Sequence, residues 1–283
     1  MGILPAFVLK VLAGASPPTP PGADEPGVTQ WRDSNGTLGA LSHASGGEHW
    51  LHVLGVASFR IPAQGNEIAA IAAAGSRPEA VSDEFQRTAW PAALQLRGHE
   101  VLHASAVATP DGVVAFCARS ETGKSTLAYG LAKRGHRLWS DDAVVLSVTP
   151  THTVASSLPF QVRLRPASAA HFGFASADLE RGRLRQPGSD ASAHLPLKRV
   201  CLLERAAADS EPLLATEQPP PAAALAELLQ HAIYFSAHDL DRRRLMLRNY
   251  LTVLGTVPVL AVRFRPGMTY LDSVLDAVEE RLL

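Results

Sequence analysis

The sequence has 283 residues, of which 46% are hydrophobic and 19% are charged, a composition that allows one large folded domain or two unequal ones. Its 26 Lys and Arg residues nearly balance its 27 Asp and Glu residues, which gives no reason to expect nucleic acid or an anionic membrane as a partner. Cys117 and Cys201 lie far apart in apolar runs, so they lack the spacing of a zinc site and are interpreted as reduced core thiols.

The first residues are apolar, but Lys10 lies inside the apolar stretch and no basic residue precedes it, which argues against a secretory signal. No run approaches the ~20 apolar residues of a membrane span, so the sequence favours a cytoplasmic protein. Five prolines between residues 16 and 28 predict an extended linker, and residues 1–27 are assigned to a flexible N-terminal segment.

Residues 28–98 predict a small β-rich N-terminal part. Short apolar runs over 28–74 are separated by Gly and Asn turns, a pattern typical of a meander of strands. An amphipathic helix is predicted at Ser82–Leu96, where the apolar residues recur at helical spacing.

Residues 99–283 predict an α/β domain. Strands at Leu102–Ala108 and Val113–Cys117 are joined by a turn at Pro110-Asp111-Gly112, and a helix that Gly135 ends is followed by a strand at Leu138–Val148. The remaining predicted elements are a loop at Ala175–Ala193, strands at Lys198–Glu204 and Val257–Phe264, and helices at Ala222–His231, Asp239–Leu254 and Tyr270–Leu283.

The segment between the second strand and the following helix predicts a phosphate-binding loop (P-loop). Loop amides at a helix N-terminus and the Lys124 ammonium suit the phosphates of ATP, and the Ser125 hydroxyl suits the shell of a magnesium ion. The residues predicted to bind the nucleotide are Ser120, Glu121, Thr122, Gly123, Lys124, Ser125 and Thr126.

Two residues depart from the usual P-loop pattern. Ala118 stands where the pattern asks for Gly, and Glu121 stands where many P-loops carry another Gly. A carboxylate at position 121 adds negative charge beside the phosphates unless it faces solvent or pairs with Arg119. Whether the two departures reduce turnover stays open at this stage.

Asp141 and Asp142 form a second candidate group. They follow a predicted strand one element beyond the loop-bearing helix, near where a parallel neighbour strand would end, and carboxylates there suit magnesium binding or proton transfer. His103 opens the strand before the loop-bearing strand and is a further catalytic candidate, with a structural role as the alternative.

These strings resemble the catalytic core of HPr kinase/phosphorylase. The resemblance covers Leu102 to Val148 and includes Leu102-His103-Ala104-Ser105, Gly123-Lys124-Ser125-Thr126 and Trp139-Ser140-Asp141-Asp142. It implies a fold like that of phosphoenolpyruvate carboxykinase, ATP and magnesium as cofactors, and phosphoryl transfer served by His103, Lys124, Ser125, Asp141 and Asp142.

The overall layout is similar to the HPr-kinase-like proteins of peptide-modification gene clusters, including those of lasso-peptide type. In both, a β-rich part precedes the His-Ala-Ser strand, and a strand like that at Val257-Pro258-Val259 precedes a terminal helix. The Glu-Arg-Gly-Leu-Gly type segment of true HPr kinase/phosphorylases is not found in this sequence, so HPr is not the expected acceptor.

The sequence therefore predicts a kinase that transfers the γ-phosphoryl group of ATP to a Ser or Thr hydroxyl of a protein or peptide. Lys124, His103, Asp141 and Asp142 are its expected catalytic residues, with Ser125 and Asp142 as magnesium ligands; which Asp is the base stays open. Arg163 and Arg165, or Arg242-Arg243-Arg244, are candidates for an extra cation, with a solvated helix face as the alternative for the triple Arg.

Two other functions remain alternatives to this peptide kinase. One is a catalytically weak ATP-binding regulatory subunit of a modification complex, and the other is a small-molecule kinase or carboxykinase on the same core. The acceptor's identity and the oligomeric state, with a homo-oligomer among the alternatives, stay open.

Overall fold

A computed structural model describes residues 4–32, 35–175, 179–180, 183–187, 194–209, 211–235 and 239–283. The fold is mixed α/β, which confirms the predicted class. The chain forms two compact units, Met1–His99 together with Tyr234–Arg248, and Glu100–Ile233 together with Asn249–Leu283. None of the helices in these described ranges is long and apolar enough to cross a membrane.

The first unit contains a six-stranded sheet with the order β1-β6-β5-β4-β3-β2. Its strands are β1 (Val8–Val11), β2 (Thr29–Arg32), β3 (Leu38–Ser45), β4 (Glu48–Val53), β5 (Ala57–Ile61) and β6 (Glu67–Ala72). Strands β2 to β6 form an antiparallel meander, whereas β1 pairs in parallel with β6.

The segment predicted to be flexible thus contributes an edge strand at Val8–Val11, which the sequence did not predict. Val8 and Val11 are each 56% exposed, so the strand forms through backbone pairing with β6 rather than through burial of an apolar face. A strand of this kind leaves no alternating pattern in the sequence.

The helical region of the first unit consists of three consecutive segments. In place of the single predicted helix, the structure has α1 (Pro78–Glu84), a π-helical turn at Phe85–Ala89 and α2 (Trp90–Leu96). The Arg242 guanidinium is buried and donates hydrogen bonds to the carbonyl oxygens of Gln95 (2.9 Å) and His99 (2.6 Å). These hydrogen bonds from Arg242 therefore stabilise the C-terminal end of α2 within this unit.

The second unit is built on a nine-stranded sheet. Along the chain it comprises β7 (Glu100–Leu102), β8 (Ala104–Thr109), β9 (Gly112–Cys117), α3 (Lys124–Lys133), β10 (Arg137–Ser140), β11 (Val144–Val148), β12 (Thr153–Ser156), β13 (Gln161–Leu164), α4 (Pro166–His171), β14 (Leu179–Glu180), β15 (Arg183–Pro187), β16 (His194–Arg205), β17 (Leu214–Glu217), α5 (Pro221–Gln230), α6 (Leu240–Thr256, whose first part belongs to the first unit), β18 (Val259–Phe264) and α7 (Leu271–Leu282).

The order of the large sheet is β10-β8-β9-β16-β12-β11-β7, and β18 pairs with β16 and β17. A separate sheet has the order β13-β15-β14. Helices α3 and α7 pack on the large sheet through a buried cluster that includes Phe116, Leu131 and Leu275.

Two of the elements predicted in this unit differ from those in the structure. The single strand predicted at Leu138–Val148 is divided into β10 and β11, because the backbone of Asp142 has a φ of 68° and turns the chain between them. The loop predicted at Ala175–Ala193 contains β14 and β15, whose sequences lack apolar alternation. Residues 176–178, 181–182 and 188–193 of that prediction lie outside the described residues.

Candidate functional site

One edge of the large sheet gathers the predicted site residues. Strand β8 lies antiparallel between β9 and β10, so its start lies beside the ends of both: Ala104 pairs with Cys117, and Ala106 pairs with Ser140. His103, the loop after Cys117 and the Asp141-Asp142 pair therefore meet at this edge. Strand β10 runs in the same direction as β9 but is separated from it by β8, so it is not the direct parallel neighbour that the sequence predicts.

The loop of residues 118–123 joins β9 to α3, which begins at Lys124. Gly123 has a φ of 128°, a conformation that a side chain rarely allows, and its carbonyl oxygen accepts the first helical hydrogen bond from Leu127 N–H (2.9 Å). Glu121 has a φ of 72°, and among the described residues only Glu121 and Asp142 combine positive φ with a side chain. Both lie at this site, where backbone strain is typically concentrated.

Two arginines hold the outer side of the loop. Arg205, at the end of β16, donates to the carbonyl oxygens of Thr122 (3.0 Å) and Glu121. The Glu121 carboxylate forms an ion pair with Arg165 at 2.6 Å, and not with Arg119, the partner that the sequence suggests. The carboxylate is therefore neutralised by a cation from another part of the chain.

The Lys124 side chain is 6% exposed and donates to the Ala118 carbonyl oxygen (2.9 Å). It also lies 3.2 Å from His103 Nε2, while His103 Nδ1 lies 3.1 Å from the Asp142 carbonyl oxygen. These contacts fit a neutral His103 that donates through Nδ1 and accepts through Nε2. Burial lowers the pKa of Lys124, and the nearby Asp142 carboxylate opposes that shift.

The two neighbouring aspartates have different environments. Asp141 is 5% exposed; its Oδ1 accepts from the hydroxyls of Ser105 (2.6 Å) and Ser125 (2.8 Å), and its Oδ2 accepts from Arg163 N–H (3.2 Å). Burial, with the negative charge of Asp142 as a second cause, raises the pKa of Asp141 to about 6. The Asp142 side chain is 28% exposed and lies 3.7 Å from the guanidinium of Arg163.

A cavity of about 250 Å³ lies over the loop. Nearly all of the predicted site residues line it: His103, Ser120, Glu121, Thr122, Gly123, Lys124, Ser125, Thr126 and Asp142. Asp141 is not among the lining residues, because its carboxylate is turned to Ser105 and Ser125. Of the candidate cations, Arg163 and Arg165 line the cavity, and Arg242-Arg243-Arg244 do not.

A second group of lining residues carries no motif in the sequence and was not predicted. Arg205 ends β16, and Phe264, Arg265 and Met268 lie at the end of β18 or just after it. Both strands are parallel to the chain direction of β9, since β16 pairs in parallel with β9 and with β18. Ligands often bind beyond the carboxyl ends of parallel strands, but this rule points to these positions only once the strand order is known.

Ser125 and Asp142 supply the oxygen donors that a magnesium ion prefers. The described residues contain no group of three or more His, Cys, Asp or Glu side chains suited to a metal. A magnesium ion at this site would therefore depend on phosphate oxygens and water for most of its shell, which is its usual mode of binding beside a nucleotide. The donor set fits magnesium bound together with a nucleotide.

No family model matches this sequence, and no curated protein matches it. Among solved structures, the chain is similar to the Hpr(Ser) kinase/phosphatase from Coxiella burnetii, with 15% sequence identity and a TM-score of 0.33. The similarity covers 64% of this chain and 88% of that chain. It is a distant likeness, and it gives no support to an affiliation with peptide-modification gene clusters.

Proposed function

We propose that the protein is an ATP- and magnesium-dependent kinase that transfers the γ-phosphoryl group to a Ser or Thr hydroxyl of a protein or peptide. The observation that carries this proposal is the placement of a partly exposed carboxylate, Asp142, in the same cavity as Lys124 and Ser125. A protein that only binds nucleotide has no need of a base in that place.

The 118–123 loop and α3 supply the phosphate site. Loop amides and the N-terminus of α3 favour negative charge, and Lys124, Arg163 and Arg165 add three cations around the cavity. Lys124 now donates to the Ala118 carbonyl oxygen and approaches His103; phosphate oxygens would replace these neutral acceptors with charged ones. The buried ammonium, whose pKa is lowered, gains a partner that stabilises its charged form.

Ser125 would bind the magnesium ion, and Asp141 would orient the Ser125 hydroxyl. The Ser125 hydroxyl donates a hydrogen bond to Asp141 Oδ1 (2.8 Å). The lone pairs of the Ser125 oxygen are therefore available to a cation. When bound with ATP, magnesium would neutralise charge on the β- and γ-phosphates. We therefore propose Asp141, rather than Asp142, as the carboxylate that supports the metal-binding hydroxyl.

We assign Asp142 the role of proton acceptor, in place of the magnesium-ligand role that the sequence predicts for it. The acceptor hydroxyl forms a bond to the γ-phosphorus, the bond from that phosphorus to the β,γ-bridging oxygen breaks, and ADP leaves. Asp142 takes the hydroxyl proton, while Lys124 and the loop amides stabilise the negative charge on the transferred group. His103 positions both partners, because it lies between Lys124 Nζ and the Asp142 carbonyl oxygen.

Transfer of labelled γ-phosphate to Ser-containing peptides tests the proposal, with the nucleotide affinity of every variant measured in parallel. We expect Asp142→Asn to lower transfer about 100-fold or more while ATP affinity changes little. Asp141→Asn should weaken both, because it alters the support of Ser125. Asp111→Asn is the matched control, since Asp111 is exposed at the β8–β9 turn and does not line the cavity.

Full transfer by Asp142→Asn would contradict the assignment of the base. Tight ATP binding by the wild type without transfer to any peptide offered would favour the regulatory subunit instead. Absence of ATP binding would remove the kinase proposal altogether.

A further inference from the structure

The loop has two chemically different sides. On one side of β9 lie the start of β8 and the end of β10, which bring His103 and Asp142 to the cavity. On the other side lie β16 and β18, which run parallel to β9 and end at Arg205 and Phe264. The reacting groups and the ends of β16 and β18 thus flank the loop from opposite directions.

The side formed by β18 and α7 is mostly apolar, with Arg265 as its charged residue. Phe264, Pro266, Met268, Leu271 and Val274 line the cavity there, and we call them the apolar wall. The wall reaches the loop itself, because the Phe264 ring would lie 3.6 Å from a Cβ placed on Gly123. Such an apolar surface does not contribute to phosphate binding, since phosphate oxygens need hydrogen-bond donors and cations.

Met268 is the most exposed residue of the apolar wall. Phe264, Leu271 and Val274 belong to the buried cluster beneath the sheet edge, whereas Met268 is 36% exposed. The neighbouring Arg265 is fixed, with its guanidinium 4.1 Å above the Tyr270 ring centre and 3.0 Å from Glu211. The surface around Met268 is therefore held in place while the Met268 side chain remains open to a ligand.

We propose that the apolar wall is the subsite for the nucleobase of the phosphoryl donor; this rests on the proposed kinase function. A nucleoside triphosphate has its reacting phosphate at one end and a flat ring with apolar faces at the other. With the γ-phosphate on the Asp142 side of the loop, the nucleoside extends toward the ends of β16 and β18. The crevice beyond the carboxyl ends of parallel strands is where such ligands bind in open α/β sheets.

Calorimetric binding of ATP and of inorganic tripolyphosphate, each with magnesium, tests the subsite in wild type and in Met268→Ala. We expect the wild type to bind ATP more tightly than tripolyphosphate. Met268→Ala should weaken ATP binding about three- to tenfold, which is the loss expected for part of one buried apolar side chain, and leave tripolyphosphate binding unchanged. Leu251→Ala is the control, because Leu251 is also an exposed large apolar residue and does not line the cavity.

The outcomes separate the subsite from the kinase proposal. Equal affinity of the wild type for ATP and tripolyphosphate, or equal weakening of both by Met268→Ala, would overturn the nucleobase subsite and leave the phosphate site intact. Unchanged ATP binding in Met268→Ala would overturn it too. A wild type that binds neither compound would overturn both proposals.

Discussion

The buried carboxylate of Asp141 predicts a specific pH dependence of stability. Its pKa is about 6 in the folded chain against 3.8 for the ordinary side chain, so between these values the unfolded state releases a proton that the folded state keeps. Stability contributed by protonated Asp141 is therefore present below pH 4 and lost as the pH rises through about 6. The difference corresponds to roughly 3 kcal/mol.

Replacement of Asp141 by Asn isolates this contribution. Asn changes the contacts with Ser105, Ser125 and Arg163 by the same amount at every pH, so only the titration differs between the two proteins. We expect the free energy of unfolding of the wild type, relative to that of Asp141→Asn, to fall by roughly 3 kcal/mol between pH 4 and pH 8. Urea denaturation at four or five pH values measures it.

Asp142→Asn gives an internal check, because the negative charge of Asp142 is the second cause of the raised pKa. In that variant the loss of stability should still begin near pH 4, but it should be complete at a lower pH and be smaller. Parallel pH profiles for the wild type and Asp141→Asn would refute the reasoning, since they would show that Asp141 titrates alike in the folded and unfolded chain.

Two further predictions concern the loop-bearing helix. Lys124→Ala should abolish ATP binding measured by calorimetry. Lys133→Ala should leave ATP binding unchanged, because Lys133 is exposed at the other end of α3. Retained ATP binding in Lys124→Ala would contradict the phosphate site. Gly130→Ala should lower the free energy of unfolding by about 1–3 kcal/mol, because its Cβ would lie 2.6 Å from Leu275 on α7. Gly255→Ala, in open space on α6, should instead be neutral or stabilise by about 0.5–1 kcal/mol, and equal effects of the two changes on the denaturation midpoint would contradict the packing argument.

The parts of the site that the sequence predicted are those encoded by adjacent residues. The 118–123 loop is preceded by an apolar strand and followed by a helical pattern, so strand, loop and helix could be identified from one continuous segment. Asp141-Asp142 stood out for the same reason, as two carboxylates after a strand. Their separate environments could not be predicted, because Asp141 is buried by contacts with Ser105 on β8 and with the backbone of Arg163 on β13.

The other side of the cavity depends on strand order, which a single sequence does not encode locally. Arg205 and Met268 lie far from the loop in the chain, and they reach it only because β16 and β18 pair in parallel beside β9. The edge strand at Val8–Val11 escaped prediction for a related reason, since backbone pairing with β6 defines it.

The two departures from the P-loop pattern are accommodated in different ways. Ala118 is fully buried in the core, and its carbonyl oxygen accepts from Lys124, so a methyl group takes the place of the expected Gly. At Glu121 the positive φ costs about 1 kcal/mol, which Arg205 offsets at the carbonyl oxygen while Arg165 neutralises the carboxylate. Since both cations come from outside the loop, the loop can keep its shape and charge balance without the glycine. For this reason we expect Glu121 to be compatible with phosphate binding rather than a sign that binding has been lost.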